Sequence, residues 1–403
     1  MKDSGIEWIG EIPEGWELTK VKRIFDIGRG RVISQQELTS VGYPVYSSQT
    51  KNNGCLGYIS TYDFDKSQLT WTTDGVNAGT VFLREGKHNC TNVCGTLVPK
   101  NDTNDLRYLK YALEYIAFYH KRADINGFKI MNNEMAEIEL LLPPLFEQQN
   151  IANYLDFKCS QIQSILEQSL LSIEEYKKLK QSVITQSVTK AIYDDFGNPS
   201  KFRKLRSLCD VLSKGTTPKD IETQNDEFYC IRYLKSENIV SNQLNLNPTF
   251  FITAETNNSL ERSKLNSGDI LFVIAGASIG KVAITTADFL PANTNQAVAF
   301  IRLSSSYQYA TKYIWYFLQS DVVKQLIALS AVQSAQPNLS LEDLGAMRLP
   351  LPDQMDCLKI TDYLDAKCAE IDGLVAKKEQ LVKELESYKK SLIYEVVTGK
   401  REV

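Results

Sequence analysis

A stretch of this chain is written twice, and any fold assigned to it must place two copies. Tyr154-Leu155-Asp156-Phe157-Lys158-Cys159-Ser160-Gln161-Ile162 returns as Tyr363-Leu364-Asp365-Ala366-Lys367-Cys368-Ala369-Glu370-Ile371, 209 residues later. The correspondence continues without a gap. Upstream, Leu142-Pro143 matches Leu351-Pro352 and Ile151 matches Ile360; downstream, Ser182, Ile184, Val188 and Thr189 match Ser391, Ile393, Val397 and Thr398. Self-similarity at a fixed offset marks a repeated structural unit.

Each copy follows proline punctuation, Pro143-Pro144 in the first and Pro350 with Pro352 in the second, and then continues free of proline, which predicts two long helices. In the first, Ile151, Leu155, Cys159, Ile162, Leu166, Ile173, Tyr176 and Val183 form a heptad-like seam. The same offset gives Ile360, Leu364, Cys368, Ile371, Val375, Val382, Leu385 and Leu392, apolar at every position. Lys and Glu occupy the other faces, as in Glu174-Glu175 with Lys177-Lys178, the pattern of solvated or partner-facing flanks. Two helices packed on each other account for the seam.

The segments ahead of the helices correspond weakly, with drifting offsets that imply loop insertions. Ile24, Asp26 and Ile27 match Leu208, Asp210 and Val211, and Gly75-Val76-Asn77-Ala78-Gly79-Thr80-Val81 matches Gly276-Ala277-Ser278-Ile279-Gly280-Lys281-Val282. Short β-like runs (Thr80 to Leu83, Thr96 to Val98; Ile270 to Ile274, Val298 to Leu303) alternate with Gly, Asn and Ser turns. One aromatic amphipathic helix is expected in each copy, Leu106 to Tyr119 capped by Asn104 or Asp105, and Tyr307 to Leu329 after Ser305 or Ser306. The expected fold is α+β: mixed α/β globules over 1–145 and 196–352, each followed by a long helical repeat, 146–195 and 353–403.

At 403 residues the chain is long enough for two or three domains, and 43% hydrophobic with 23% charged residues is ordinary globular composition. The longest apolar run, Ile270 to Ala277, is far short of a membrane span, and the N-terminus does not resemble a signal peptide, so a cytoplasmic protein is expected. Eight scattered cysteines without a Cys-x-x-Cys pair suggest reduced thiols. A net charge of −4 excludes a global polycation, so nucleic-acid binding would depend on local groups.

Several motifs resemble enzyme chemistry and fall short of it. Phe25-Asp26-Ile27-Gly28-Arg29-Gly30 is like the Gly-rich turn of methyltransferases, but the Asn-Pro-Pro-aromatic tetrapeptide that orients an amino group of a base is absent. Ala275-Gly276-Ala277-Ser278-Ile279-Gly280-Lys281 has the spacing of a phosphate loop, yet Val282 stands where a Mg²⁺-ligating hydroxyl is needed. His88, Cys90 and Cys94 supply three metal ligands and no fourth. With only two histidines, His88 and His120, no nucleophile–base system repeats between the copies, and no catalytic or metal site is expected.

The run Leu141-Leu142-Pro143-Pro144-Leu145-Phe146-Glu147-Gln148-Gln149-Asn150-Ile151, the endings Ser187-Val188-Thr189-Lys190 and Val396-Val397-Thr398-Gly399-Lys400, and the opening Asp3 to Trp16 together resemble the DNA specificity subunit of type I restriction–modification systems. The similarity covers essentially the whole chain; the second copy, Pro350-Leu351-Pro352-Asp353-Gln354-Met355, lacks the Glu-Gln pair of the first. The resemblance implies that each globule is a target recognition domain reading one half of a bipartite, gapped sequence in double-stranded DNA. It implies that the long helices form an antiparallel coiled coil with a pseudo-twofold repeat. Two methyltransferase subunits, holding S-adenosylmethionine, and two restriction subunits, using ATP and Mg²⁺, would be the partners. No cofactor is then expected in this chain. Ile151 to Val183 as helix would span ~50 Å, enough to hold two readers a DNA turn, about 34–36 Å, apart.

Reading base edges requires Arg or Lys for guanine and Asn or Gln for adenine, on loops held by a rigid scaffold. In the first globule the candidates are Arg29, Arg31, Ser47, Ser48, Gln49, Thr50, Lys51, Asn52, Asn53, Thr72, Thr73 and Lys129. In the second they are Lys214, Thr216, Thr217 and Lys219 around Gly215 and Pro218, then Arg232, Tyr233, Lys235, Ser278, Lys281, Gln333, Ser334 and Gln336. For any one of these an ordinary solvated loop is an equal alternative; the clusters carry the argument. Asn92 and Asn293-Thr294-Asn295-Gln296 could instead satisfy turn backbones.

Overall fold

The computed structural model describes residues 1–7, 9–125, 127–190, 202–331 and 338–403. They form two compact units, one of 1–170 with 379–403 and one of 171–378. Each unit contains a globule and a stretch of both long helices, the central helix Leu145–Lys190 and the terminal helix Gln354–Val397.

In the first unit β1 (Glu17–Lys20), β2 (Phe25–Arg29), β3 (Tyr43–Tyr46), β4 (Cys55–Ile59), β5 (Gln68–Thr72), β6 (Val81–Arg84), β7 (Asn89–Cys90) and β8 (Cys94–Pro99) precede α1 (Leu106–His120), and β9 (Glu139–Leu142) leads into the central helix. A four-stranded antiparallel sheet has the order β2-β8-β5-β6, a three-stranded sheet the order β7-β3-β4 with β7 parallel to β3, and β9 pairs with β1. β5 is buried at every residue, with Trp71 donating Nε1–H to the Ile130 carbonyl at 3.1 Å. Asp105 caps α1 by accepting from the Arg107 and Tyr108 N–H groups, which settles the choice between Asn104 and Asp105. Ile151, Leu155, Cys159, Ile162 and Leu166 join the core together with Val382, Leu385, Leu392, Val396 and Val397 of the terminal helix. The two helical stretches run antiparallel: Tyr154 lies near Arg401, while Cys159 and Leu166 share a cleft with Lys389 and Glu386.

The second unit repeats this plan. β10 (Phe202–Lys204), β11 (Cys209–Lys214), β12 (Tyr229–Leu234), β13 (Phe251–Thr253), β14 (Ile270–Val273), β15 (Val282–Ile284), β16 (Ala292–Thr294) and β17 (Val298–Leu303) precede α2 (Thr311–Leu318) and α3 (Asp321–Ala331), and β18 (Arg348–Pro350) leads into the terminal helix. The sheet orders are β11-β17-β14-β15 and β13-β12-β16, with β16 parallel to β12, and β18 pairs with β10. β14 is buried throughout, as its unbroken apolar run predicts. Arg302 clamps the buried Asp269 with two hydrogen bonds of 2.8 and 2.7 Å.

The same bonds tie the aromatic helix of each globule to the strand that leads into the long helix, and to the long helix itself. Tyr108 donates its hydroxyl to the Leu141 carbonyl at 2.8 Å, and Tyr313 to the Pro350 carbonyl at 2.9 Å. Tyr111 donates to Asp156 and Tyr316 to Asp365, both at 2.8 Å; Arg107 pairs with Asp156, and Lys312 with Asp365. The long helices begin at equivalent positions, Leu145 and Gln354, although the buried Gln148 that bonds the Pro143 carbonyl and Asn104 in the first is replaced at the second by the buried Cys357.

Two expectations are corrected. The helix expected over Tyr307 to Leu329 is three pieces: a 3-10 turn at Ser305–Ala310, then α2 and α3, broken at Gln319-Ser320. There the backbone tightens to i→i−3 bonds, Gln319 to Tyr316 and Ser320 to Phe317, while the Gln319 carbonyl accepts from Gln181 Nε2 and Thr185 Oγ1 accepts the Asp321 N–H. In the seam, Ile184 and Val188 are the buried positions near the end of the central helix, with Val183 half-buried beside them. In the terminal helix Leu364, Cys368, Ile371 and Leu392 are buried, while Ile360, Val375 and Val382 are half-buried.

Candidate nucleic-acid interface

In the first unit the loop between β3 and β4 carries Ser47 to Asn53. Asn52 and Asn53 both adopt left-handed backbone, at φ of 50° and 51°, which Asn tolerates better than most side chains. The loop is anchored from below. Arg84, 1% exposed, donates Nε to Thr70 Oγ1 at 3.0 Å and Nη1 to the Asn53 carbonyl at 2.6 Å, and its guanidinium lies 3.6 Å from the Tyr46 ring centroid and 4.3 Å from that of Phe82. No carboxylate pairs with it among the described residues, and Nη2 has no hydrogen-bond partner there. Burial lowers the pKa of the guanidinium, and the neighbouring Tyr46 opposes that shift. A buried cation held by rings and carbonyls is a costly arrangement, retained here directly under a polar loop. Gly54 must be glycine, since a Cβ there would stand 2.7 Å from Arg84 Nη2 at φ +79°.

Neighbouring segments converge on the same end of the sheet. Asn77, in the turn after β5, donates to Thr50 Oγ1 at 3.2 Å; Lys129 pairs with Asp74 at 3.3 Å and Asp124 at 3.2 Å. Thr72 and Thr73 are buried, and Thr73 donates its hydroxyl to Asp74 and the Val93 carbonyl, so both support the turn from inside. Gln49 donates to the Cys55 carbonyl, leaving Thr50, Lys51, Asn52 and Asn53 as the exposed tip. Arg29 and Arg31 are exposed but engaged, Arg29 with Asn132 at 3.0 Å and Arg31 with Asp63 at 3.0 Å. Ser47 and Ser48 are half-buried at the base of the loop.

In the second unit Lys214 ends β11, and Thr216, Thr217 and Lys219 follow it on the loop; all four are exposed. Tyr233 is buried and donates its hydroxyl to the Thr216 carbonyl at 2.9 Å, and Thr217 bonds Gln296. Tyr233 is therefore a support of this loop. Arg232 donates to the Asp288 carbonyl at 2.6 Å and Lys235 sits 3.6 Å over the Phe250 ring. Ser278 and Lys281 lie in the turn between β14 and β15, with Lys281 exposed. Gln333, Ser334 and Gln336 fall outside the described residues, as does Trp8 of the N-terminal motif. Asn293 and Thr294 are buried in β16; Asn293 bonds Asn257 and the Leu260 carbonyl, and Thr294 the Leu234 carbonyl of β12, so both are occupied within the fold.

The motifs that mimic enzyme chemistry have structural tasks. Gly28 lies in β2 and Gly30 just beyond it, where a Cβ on Gly30 would stand 2.0 Å from the Cys90 carbonyl oxygen. Gly276 and Gly280, both at φ +87°, shape the tight turn after β14 as Gly75 and Gly79 do after β5. His88 is buried, bonded to Gln68 and the Gly86 carbonyl and stacked on Phe64, and burial lowers its pKa. Among the described residues no group of three His, Cys, Asp or Glu side chains is placed to hold a metal ion, and no helix is long and apolar enough to cross a membrane.

Arg84 and Asn77 escaped the sequence reasoning. Arg84 ends an otherwise apolar strand run, Val81-Phe82-Leu83, and only its burial shows its role.

The family model of the type I restriction modification DNA specificity domain matches the chain twice, over 13–175 and 198–383. A protein of Mycoplasma pneumoniae described as a type I specificity subunit is 32% identical over 286 residues, covering 68% of this chain and 70% of that protein. A type I restriction enzyme specificity subunit of Methanocaldococcus jannaschii is 25% identical over 413 residues, 96% of this chain and 93% of its own length. Among solved structures, a chain from a type I R-M system study of complex assembly and conformational transition aligns at a TM-score of 0.73 with 13% identity, over 97% of this chain and 100% of that one. The HsdS subunit from Thermoanaerobacter tengcongensis aligns at 0.52 with 14% identity, over 97% and 98%. These last two share the fold. With both globules carrying one plan of sheets, and the family's domain matched in each half, the chain belongs to the type I restriction modification DNA specificity family.

Proposed function

We propose that this chain directs a type I restriction–modification complex to a bipartite, gapped DNA target, each globule reading one half. The observation that carries the reading is a scaffold duplicated down to individual bonds, Tyr111 to Asp156 and Tyr316 to Asp365, beneath loops that differ in sequence and anchorage. A common frame with divergent loops suits two readers of different base sequences. In the first globule the exposed tip Thr50 to Asn53 reads base edges, Lys51 serving phosphate or guanine and the two asparagines adenine. In the second, Lys214, Thr216, Thr217, Lys219 and Lys281 take the corresponding work.

Chemistry falls to partners: two methyltransferase subunits holding S-adenosylmethionine and two restriction subunits using ATP and Mg²⁺, with this chain non-catalytic and the complex cytoplasmic. The near-neutral charge of the chain fits a subunit whose DNA affinity is completed by its partners. The test is to co-express the chain with its genomic neighbours and map methylated adenines in host DNA with and without this gene. A two-part motif that requires the gene, and changes in one half alone when residues 1–145 are exchanged, is expected. Unchanged methylation, or methyl transfer by this chain unaided, overturns the proposal.

A further inference from the structure

A cleft of about 660 Å³ opens in the first unit where α1, the turn Val76 to Thr80, the central helix near Cys159 and the terminal helix near Lys389 meet. Its walls carry Lys110, Lys121, Lys389 and Lys390 against Glu114 and Glu386, four cations to two anions and so a surplus of two positive charges. Tyr111, Tyr115, Phe118 and Tyr119 supply aromatic surface beside them. Lys110 is 3.8 Å from Glu114, and Lys121 lies 4.1 Å over the Phe118 ring. Lys389 is half-buried, and neither it nor Lys390 forms an ion pair among the described residues. Burial and the nearby Lys390 both lower the pKa of Lys121, and burial raises that of Glu114.

The second unit is an internal control, because the same frame is furnished differently there. Lys180 stands at the position of Lys389 and pairs with Asp372 at 2.7 Å; the position of Asp372 is taken in the first unit by Gln163, whose amide turns to Glu167 at 3.1 Å. The position of Glu114 is Gln319, packed by hydrogen bonds to Asn242, the Trp315 carbonyl and Gln181. Helix α3 then packs over the space, with Asp321 on Thr185 and Ile327 against Gly280, and leaves a smaller cleft of about 480 Å³ with Asn242, Lys281, Gln319 and Lys324 in its walls and no aromatic ring. The first unit has no such helix: α1 ends at His120 and strand Arg122–Asp124 follows. The second copy therefore has its lysine neutralised beside a smaller cleft without aromatic walls, while the first has a larger, ring-lined cleft and lacks that ion pair.

We propose that the cleft of the first unit binds a small anion bearing a planar ring, of the class of nucleoside diphosphates and triphosphates. The phosphates lie between Lys389, Lys390 and Lys121, whose ammonium groups act as movable point charges. The base stacks on the tyrosine rings, with the Glu114 carboxyl at its edge. The volume is that of an ordinary small-molecule site. This inference goes beyond the proposed function and stands whether or not the chain directs methylation.

The test is calorimetric titration of the full chain with ADP, adenosine and pyrophosphate separately, with circular dichroism to verify that each variant is folded. ADP is expected to bind in the micromolar range, on the order of 10⁻⁵ M, with adenosine and pyrophosphate each at least about tenfold weaker. Gln163→Asp, which installs the carboxylate present in the second unit, and Lys389→Gln should each weaken ADP about tenfold. Lys180→Gln, in the second unit, should leave ADP binding unchanged. No ADP binding up to millimolar concentration overturns the proposal, as does pyrophosphate binding as tightly as ADP, equal loss from Lys180→Gln, or displacement of ADP by a short DNA duplex.

Discussion

Removing one hydroxyl at a time from Tyr108 and Tyr313 tests whether the aromatic helix of each globule is fastened independently to the strand that leads into the long helix. Both side chains are fully buried, and burial raises both phenols above their ordinary pKa, so each remains a neutral donor throughout the working pH range. Tyr108→Phe leaves the buried Leu141 carbonyl without the donor it has at 2.8 Å; Tyr313→Phe does the same to Pro350, with Val188 a weaker second acceptor at 3.2 Å. An unsatisfied buried acceptor costs about 1–3 kcal/mol, and the extra methyl-sized space is too small to add a cavity penalty of that size. For a unit of this size 1 kcal/mol moves the midpoint by about 2–4 °C, so each variant should lower its own transition by roughly 2–12 °C. Differential scanning calorimetry of the full chain reads this directly. Tyr108→Phe should move the transition of the first unit, Tyr313→Phe that of the second, and the double variant should add to within about 0.5 kcal/mol. The methylated motif, mapped in cells, should be unchanged because no recognition loop is touched. A shift below about 1 °C in both single variants would refute the idea that these hydroxyls fasten the aromatic helices to the strands β9 and β18.

Arg84→Lys should reduce methylation at the cognate target about tenfold or more while leaving the unit folded, since an ammonium cannot serve Thr70, Asn53 and two rings at once; undiminished methylation in single-turnover assays would show that the loop does not depend on this anchor. The lone chain should bind duplex DNA weakly, with log K falling more steeply against log salt once methyltransferase partners are added, and nanomolar binding by the chain alone at physiological salt would contradict this. Glu137 is held down to about 2 by Lys20 and Lys22. Its folded pKa is depressed, so its contribution is present above the ordinary value near 4.5 and is lost as pH falls toward 2. Glu137→Gln should flatten the acid limb of the stability curve in that window, and an unaltered limb would count against the pairing.

The duplication, the helical seam and the apolar strands were legible because each is a local pattern in the order of residues. Ile270 to Val273 is continuous in burial and in hydrophobicity. β5 is just as buried and was not anticipated, because Gln68, Thr70 and Thr72 interrupt its apolar residues; Gln68 meets His88, and Thr70 meets Arg84. The break between α2 and α3 was equally hidden. Its cause lies in Gln181 and Thr185, far away in sequence, and a periodicity of 3.6 passes smoothly across it. At the candidate interface, residue type identified loops with suitable donors but could not say which donors were already occupied. Arg29, Arg31 and Lys129 look free in the sequence and are engaged in the structure, whereas the anchoring Arg84 was invisible.

The membership of the first unit also sets an order of events during synthesis. Its core includes Leu392, Val396 and Val397, and Gly399 packs against Pro13 and Trp16, so residues 1–170 cannot complete their packing until 379–403 have been made. At about 5–20 residues per second that is a wait of tens of seconds, with the faces of Ile151, Leu155 and Ile162 uncovered. The second unit, 171–378, is continuous and has no such wait. The globule that is translated first is therefore the one finished last, and a chain released prematurely near residue 378 has a later half whose core residues are all present while its earlier half still exposes a sticky helix.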